Sequence, residues 1–115
     1  MALICSTRRF CFRAVHHLNV GVHREATHGH QYFVELSALP ESLSVVSDLF
    51  ESKILPRLEG RDICQVISPA TGEAIVEWID SEFKELGASS SILGIALQET
   101  RKNRFVSRRT AEQLL

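Results

Sequence analysis

The chain has 115 residues, 44% hydrophobic and 23% charged, the profile of one globular domain around a single core with no room for a second. Its 13 Lys and Arg against 14 Asp and Glu leave a formal charge of -1, so no global field draws it to nucleic acid or to a membrane, and any ligand must be recognised locally. Three widely spaced cysteines, Cys5, Cys11 and Cys64, without a CxxC pair, suit neither a disulfide framework nor a thiolate zinc site and are expected to be reduced. No apolar run approaches the ~20 residues of a membrane span, and a cytoplasmic protein is expected.

The first predicted element is a strand over roughly 4–14, where Phe10, Phe12 and Ala14 alternate with Arg9, Cys11 and Arg13. A long polar loop over about 15–29 follows, then a second strand over 31–38, rich in aromatic and β-favouring residues and stopped by Pro40. The two strands are expected to pair as an antiparallel hairpin. From Ser44 the pattern turns helical, with Val45, Val46, Leu49, Phe50, Ile54 and Leu58 as the apolar stripe, Ser42 or Ser44 as N-cap, and Pro56 to end or kink the helix.

A second helix is expected to start near Ser68-Pro69, to bury Ile75, Trp78, Ile79, Phe83 and Leu86, and to stop at Gly87. After a turn at Ser89-Ser90-Ser91, the apolar run 92–97 and the segment 105–107, separated by a charged turn at 101–104, make a second hairpin. Residues 1–107 then form one domain and 108–115 a tail or short terminal helix. The order ββααββ defines an α+β domain, one antiparallel sheet with a helix pair on one face.

All five histidines, His16, His17, His23, His28 and His30, fall within fifteen consecutive residues. In His28-Gly29-His30 the two imidazoles are two apart, so on a strand they share a face. The antiparallel hairpin brings His16 beside them. Three neutral imidazoles with one open position make a common catalytic zinc arrangement, because the vacant place takes water or a substrate oxygen; the alternative is a polar surface loop whose histidines hold nothing.

These residues resemble the 6-pyruvoyl-tetrahydropterin synthases and the related 6-carboxytetrahydropterin synthases. The matching pieces, in family order, are Phe12-Arg13-Ala14-Val15-His16 for FxAxH, His28-Gly29-His30-Gln31-Tyr32 for HGHxY, Val45-Val46-Ser47-Asp48-Leu49 for MVxDF, Thr71-Gly72-Glu73 for TxEN, and Glu99-Thr100 for the closing ET. They span about 10–105. The resemblance implies the tunnelling fold, whose subunits close into a barrel, and therefore a homo-oligomer, a hexamer by that likeness. It implies a Zn2+ cofactor at His16, His28 and His30, and a small pterin substrate bound by Glu99, with Thr71 and Glu73 adding contacts. A carboxylate suits that task because it accepts two parallel hydrogen bonds from an amino-pyrimidinone edge. Without the likeness, Glu99 reads as a solvated strand-end charge paired with Arg101 or Arg104, and Thr71 and Glu73 as helix caps.

Two positions depart from the common pattern. Arg24 stands where the family carries a cysteine, and a guanidinium cannot act as a base. Glu25-Ala26-Thr27-His28-Gly29-His30, however, resembles the ExxHGH subgroup, in which glutamate replaces that cysteine and the side chain of dihydroneopterin is cleaved to 6-hydroxymethyl-dihydropterin. Glu25 is accordingly the candidate proton-transfer residue, the alternative being a loop glutamate paired with Arg24 or His23. In place of the family's L-D-H stands Leu58-Glu59-Gly60, where Glu59 is the available stand-in for the aspartate.

Overall fold

The computed structural model describes residues 4–16, 19–20, 23–24, 28–99 and 104–108, with the backbone alone at 16, 19, 20, 23, 24 and 28. Strands β1 (Ser6–His16), β4 (His28–Ala38), β5 (Gly94–Glu99) and β6 (Arg104–Arg108) form one antiparallel sheet in the order β1-β4-β5-β6. Between β1 and β4 the short strands β2 (Asn19–Val20) and β3 (His23–Arg24) pair with each other. The first strand is thus shifted from the expected 4–14 and the second begins earlier than the expected 31–38, because the ladder runs on to the pair His16↔His28. Histidine and glycine read as loop residues from sequence, yet neither prevents pairing. The strand β6 includes Arg108, and the proposed tail beyond it, 109–115, lies outside the described residues.

Alternation sorts the sheet into two faces. Phe10, Phe12 and Ala14 on β1, Tyr32, Val34, Leu36 and Ala38 on β4, and Ile95 and Leu97 on β5 are all buried under the helices. Each full burial of such an aliphatic or aromatic side chain contributes about 1.5–3 kcal/mol. The helical layer begins with α1 (Leu43–Leu49), which widens into a π-helical turn at Phe50–Ile54 and tightens into a 3₁₀ turn at Leu55–Arg57. Pro56 has no N–H to continue the helical ladder, so the change of pitch falls where the sequence predicts a break. Ser42 takes the N-cap position without a side-chain capping bond.

The stripe Val46, Phe50, Ile54, Leu58 is fully buried, but Val45 is 61% exposed. Val45 directly precedes Val46, and the adjacent position of a helix faces away.

Helix α2 (Gly72–Glu85) starts later than Ser68-Pro69 suggests, with Thr71 as N-cap, its Oγ1 accepting from the Ala74 N–H at 3.2 Å. It ends in a Schellman turn: Gly87, at φ +72°, donates to the Lys84 carbonyl and Ala88 to the Phe83 carbonyl. Ile75, Val76, Ile79 and Phe83 are buried and Trp78 is half-buried, whereas Leu86 is exposed because it sits in the terminal turn. Arg57 ties the two helical segments together, 2.7 Å from Glu82 and stacked over the Trp78 ring at 4.9 Å. At the other end of α2 the Phe105 ring of β6 occupies the space a Cβ at Gly72 would need.

Leu58 is fully buried and anchors the segment behind it along the outer edge of β1. The Gly60 N–H donates to the Arg13 carbonyl at 2.7 Å, the Val15 N–H to the Arg61 carbonyl at 2.9 Å, and Asp62 makes a parallel bridge with Val15. Gly60, at φ +68°, makes the left-handed turn that this approach requires. Among the described residues no helix is long and apolar enough to cross a membrane.

Candidate functional site

The β1–β4 register sets His16 opposite His28, Val15 opposite Gly29 and Ala14 opposite His30. The three histidine positions singled out in the sequence therefore come together, by backbone, at one end of the hairpin. His30 is described in full. Its side chain is 21% exposed, and Nδ1 lies 2.7 Å from Oε1 of Glu99, itself 22% exposed. Glu99 reaches this place because the β4–β5 ladder pairs it with Tyr32, two residues along from His30, which makes Glu99 and His30 diagonal neighbours across the strands.

Beneath them Tyr32 is buried and stacked on Phe12, with ring centroids 5.1 Å apart, and the His30 ring lies 6.1 Å from that of Tyr32. Burial pushes the Tyr32 phenol well above the ordinary tyrosine range, and the charges of Glu99 and then Cys64 raise it further. The phenol therefore stays protonated throughout the physiological range. Cys64 follows Asp62, whose Oδ1 accepts the Cys64 N–H at 3.0 Å. Beside His30 opens a cleft of about 320 Å³ lined by Arg13, Ala14, Val15, Gly29, His30 and Gly60. A Cβ at Gly29 would meet nothing within 4 Å, so the backbone between the two histidine positions is uncrowded.

The remaining sequence candidates lie elsewhere or outside the described residues. Thr71 caps α2, and Glu73, exposed in its first turn, lines a groove between α2 and β6 with Val76, Phe105 and Ser107. Within one chain that groove and the His30 cleft share no lining residue. Glu25, Thr100 and Arg101 lie outside the described residues, and Arg104 pairs with Glu35 at 3.5 Å. Glu59, the stand-in for a catalytic aspartate, accepts the Arg13 backbone N–H at 3.1 Å.

A neutral His30 that donates Nδ1–H to the Glu99 carboxylate carries its lone pair on Nε2, the form in which imidazole binds a metal. That donor chemistry suits zinc. Among the described residues there is no group of three or more His, Cys, Asp or Glu side chains arranged to hold a metal, a set that includes the side chain of His30 but not those of His16 and His28. Sequence reasoning missed the His30–Glu99 contact, although His30 and Tyr32 share a face by alternation and Glu99 closes the neighbouring strand.

An antiparallel four-stranded sheet in ββααββ order, covered on one face by two helices and carrying positions 16, 28 and 30 at one hairpin end, defines an α+β protein of the tunnelling-fold class. Solved structures of 6-pyruvoyl tetrahydropterin synthase share this fold. The Caenorhabditis elegans enzyme superposes with a TM-score of 0.75 at 19% identity, covering 96% of this chain and 98% of its own. A Plasmodium vivax 6-pyruvoyltetrahydropterin synthase, solved as a catalytic-residue mutant with glutamate changed to alanine, gives 0.63 at 13% identity over 92% and 98%. The Plasmodium falciparum enzyme gives 0.59 at 13% identity over 91% and 98%. No protein-family model matches the chain, and no curated protein matches it in sequence.

Proposed function

We propose that this chain is a zinc-dependent lyase of the tetrahydropterin synthase kind, acting on the side chain of dihydroneopterin or its triphosphate, with retro-aldol cleavage to 6-hydroxymethyl-dihydropterin as the favoured reaction. The observation that carries this reading is the hairpin register, which gathers positions 16, 28 and 30 at the end of β1 and β4, with the imidazole at position 30 already held by the Glu99 carboxylate. His16, His28 and His30 would hold the metal. Bound zinc supplies a Lewis acid that lowers the pKa of the substrate's side-chain hydroxyls. Glu99 binds the amino-pyrimidinone edge of the ring and so orients the side chain, with Thr71 and Glu73 as further pterin contacts. Glu25 takes the hydroxyl proton whose loss converts C–OH to C=O as the carbon–carbon bond breaks; the bond's electron pair passes into the ring's adjacent C=N, and the carbon left on the ring then takes up a proton. A glutamate as catalytic residue in the Plasmodium vivax neighbour supports that assignment.

A homo-oligomer goes with this reading. The strands β1 and β6 are the edges of the sheet, and edges that are not covered need a partner. A stable monomer at micromolar concentration would count against the barrel assembly.

The rival within the same chemistry is 6-carboxytetrahydropterin or 6-pyruvoyl-tetrahydropterin synthase activity on the triphosphate. A second rival, a pterin- or metal-binding protein without turnover, is favoured by one observation: Glu59 is engaged with the Arg13 backbone, where a catalytic aspartate would have to be available. Measuring zinc content and identifying the products formed from dihydroneopterin and from its triphosphate separates the three. Cleavage of the unphosphorylated substrate supports the favoured reaction. Turnover of the triphosphate alone selects the synthase, and pterin binding without turnover selects the non-catalytic reading.

A further inference from the structure

We propose that Glu99 is a positioning residue for His30, holding the imidazole in its Nδ1–H tautomer so that Nε2 is the metal-binding nitrogen. The inference deepens the zinc reading above and rests on it for its metal-binding arm. Three observations support it. The Nδ1–Oε1 separation of 2.7 Å is that of a charge-assisted hydrogen bond. Both side chains are about four-fifths removed from solvent, where such a bond is stronger than in water. Finally, both ends are fixed by the fold, since Glu99 is locked into the ladder opposite Tyr32 and Tyr32 is stacked on Phe12 below.

The chemistry follows from the two imidazole nitrogens. A neutral histidine side chain free in water prefers its proton on Nε2, which would leave only Nδ1 to bind a metal. A carboxylate at Nδ1 reverses that preference, since it accepts a hydrogen bond there and can donate none. The same contact fixes the ring plane, so Nε2 is aimed before any ligand arrives. Glu99, expected to bind the pterin ring, then has a second task, and the His30 contact uses one of its two oxygens. Ligand orientation at the metal and recognition of the ring meet in a single side chain.

The test uses the full chain with Glu99→Gln and Glu99→Asp, each checked for folding by circular dichroism. Nitrogen-15 NMR of His30 in metal-free protein at about pH 8, above the ordinary histidine range, reads the tautomer. Chelator competition reads the zinc dissociation constant. The unmutated protein is expected to show the Nδ1–H form. Glu99→Gln, whose amide accepts more weakly, and Glu99→Asp, one methylene too short, should shift His30 toward Nε2–H and weaken zinc by ~10–100-fold. An unchanged tautomer in either folded variant, or an unchanged zinc affinity, overturns the positioning role. If the unmutated protein binds no zinc, the metal reading fails, and the tautomer arm alone decides the role of Glu99.

Discussion

The Glu59 carboxylate accepts the Arg13 backbone N–H at 3.1 Å, one residue before Gly60 returns its own N–H to the Arg13 carbonyl at 2.7 Å. Glu59 and Gly60 here fasten a loop to a strand edge. Glu59→Ala should therefore lower stability by about 1 kcal/mol and speed hydrogen exchange at the Arg13 amide. Glu59→Gln keeps an acceptor oxygen, so stability should change by less than ~0.5 kcal/mol and turnover should be retained. A folded Glu59→Gln protein without activity would give Glu59 back its proton-transfer role.

Glu25 carries the opposite expectation. Glu25→Gln preserves shape and removes the base, so turnover of dihydroneopterin should fall by ~100-fold or more while zinc and pterin binding persist. Full activity in that variant would move the search for a base to His17, His23 or Glu59.

Tyr32 offers a direct reading of the interior beside the site. It is the only tyrosine of the chain, so the absorbance change of phenol ionisation reports on it alone. Burial, then Glu99 and Cys64, hold its pKa in the folded state above the unfolded value of about 10. The stability this represents is complete below pH ~10 and is lost as pH rises through the folded value, because only the unfolded chain ionises in between. Ionisation should therefore not occur near pH 10 in folded protein but should accompany alkaline unfolding. A reversible titration near pH 10 with circular dichroism unchanged would show the phenol to be open to solvent.

Ser47 is fully buried in α1, and among the described residues its hydroxyl has no hydrogen-bond partner. Removing a buried, unsatisfied hydroxyl lifts its desolvation cost. Ser47→Ala should raise stability by about 1 kcal/mol, seen as a higher urea midpoint with an unchanged slope. A lower midpoint would mean that the hydroxyl has a partner such as buried water.

Much of this architecture is legible in the residues. The alternation of Phe10, Phe12 and Ala14 and the stripe through Ile75, Ile79 and Phe83 each report a face that is in fact buried, because burial imposes its own period on the chain. The errors sit where two signals compete. Val45 is apolar and beside the stripe but points outward, and His28 and Gly29 are polar or small yet extend β4. The site was legible in part: two-residue spacing marks His28 and His30 as partners, but the approach of Glu99 to His30 depends on how β5 registers against β4, and no local pattern encodes that register. The fastening of Glu59 to Arg13 was hidden for the same reason, since it joins segments far apart in the chain.

The Phe105 ring in the space above Gly72 makes those two positions a single unit of variation. A larger residue at 72 is compatible with this packing only if the ring at 105 shrinks or turns aside, and a smaller residue at 105 opens a gap that a methyl group at 72 would partly fill. Substitutions at the two should be strongly non-additive in stability, and among descendants of this sequence the pair is expected to change together or not at all.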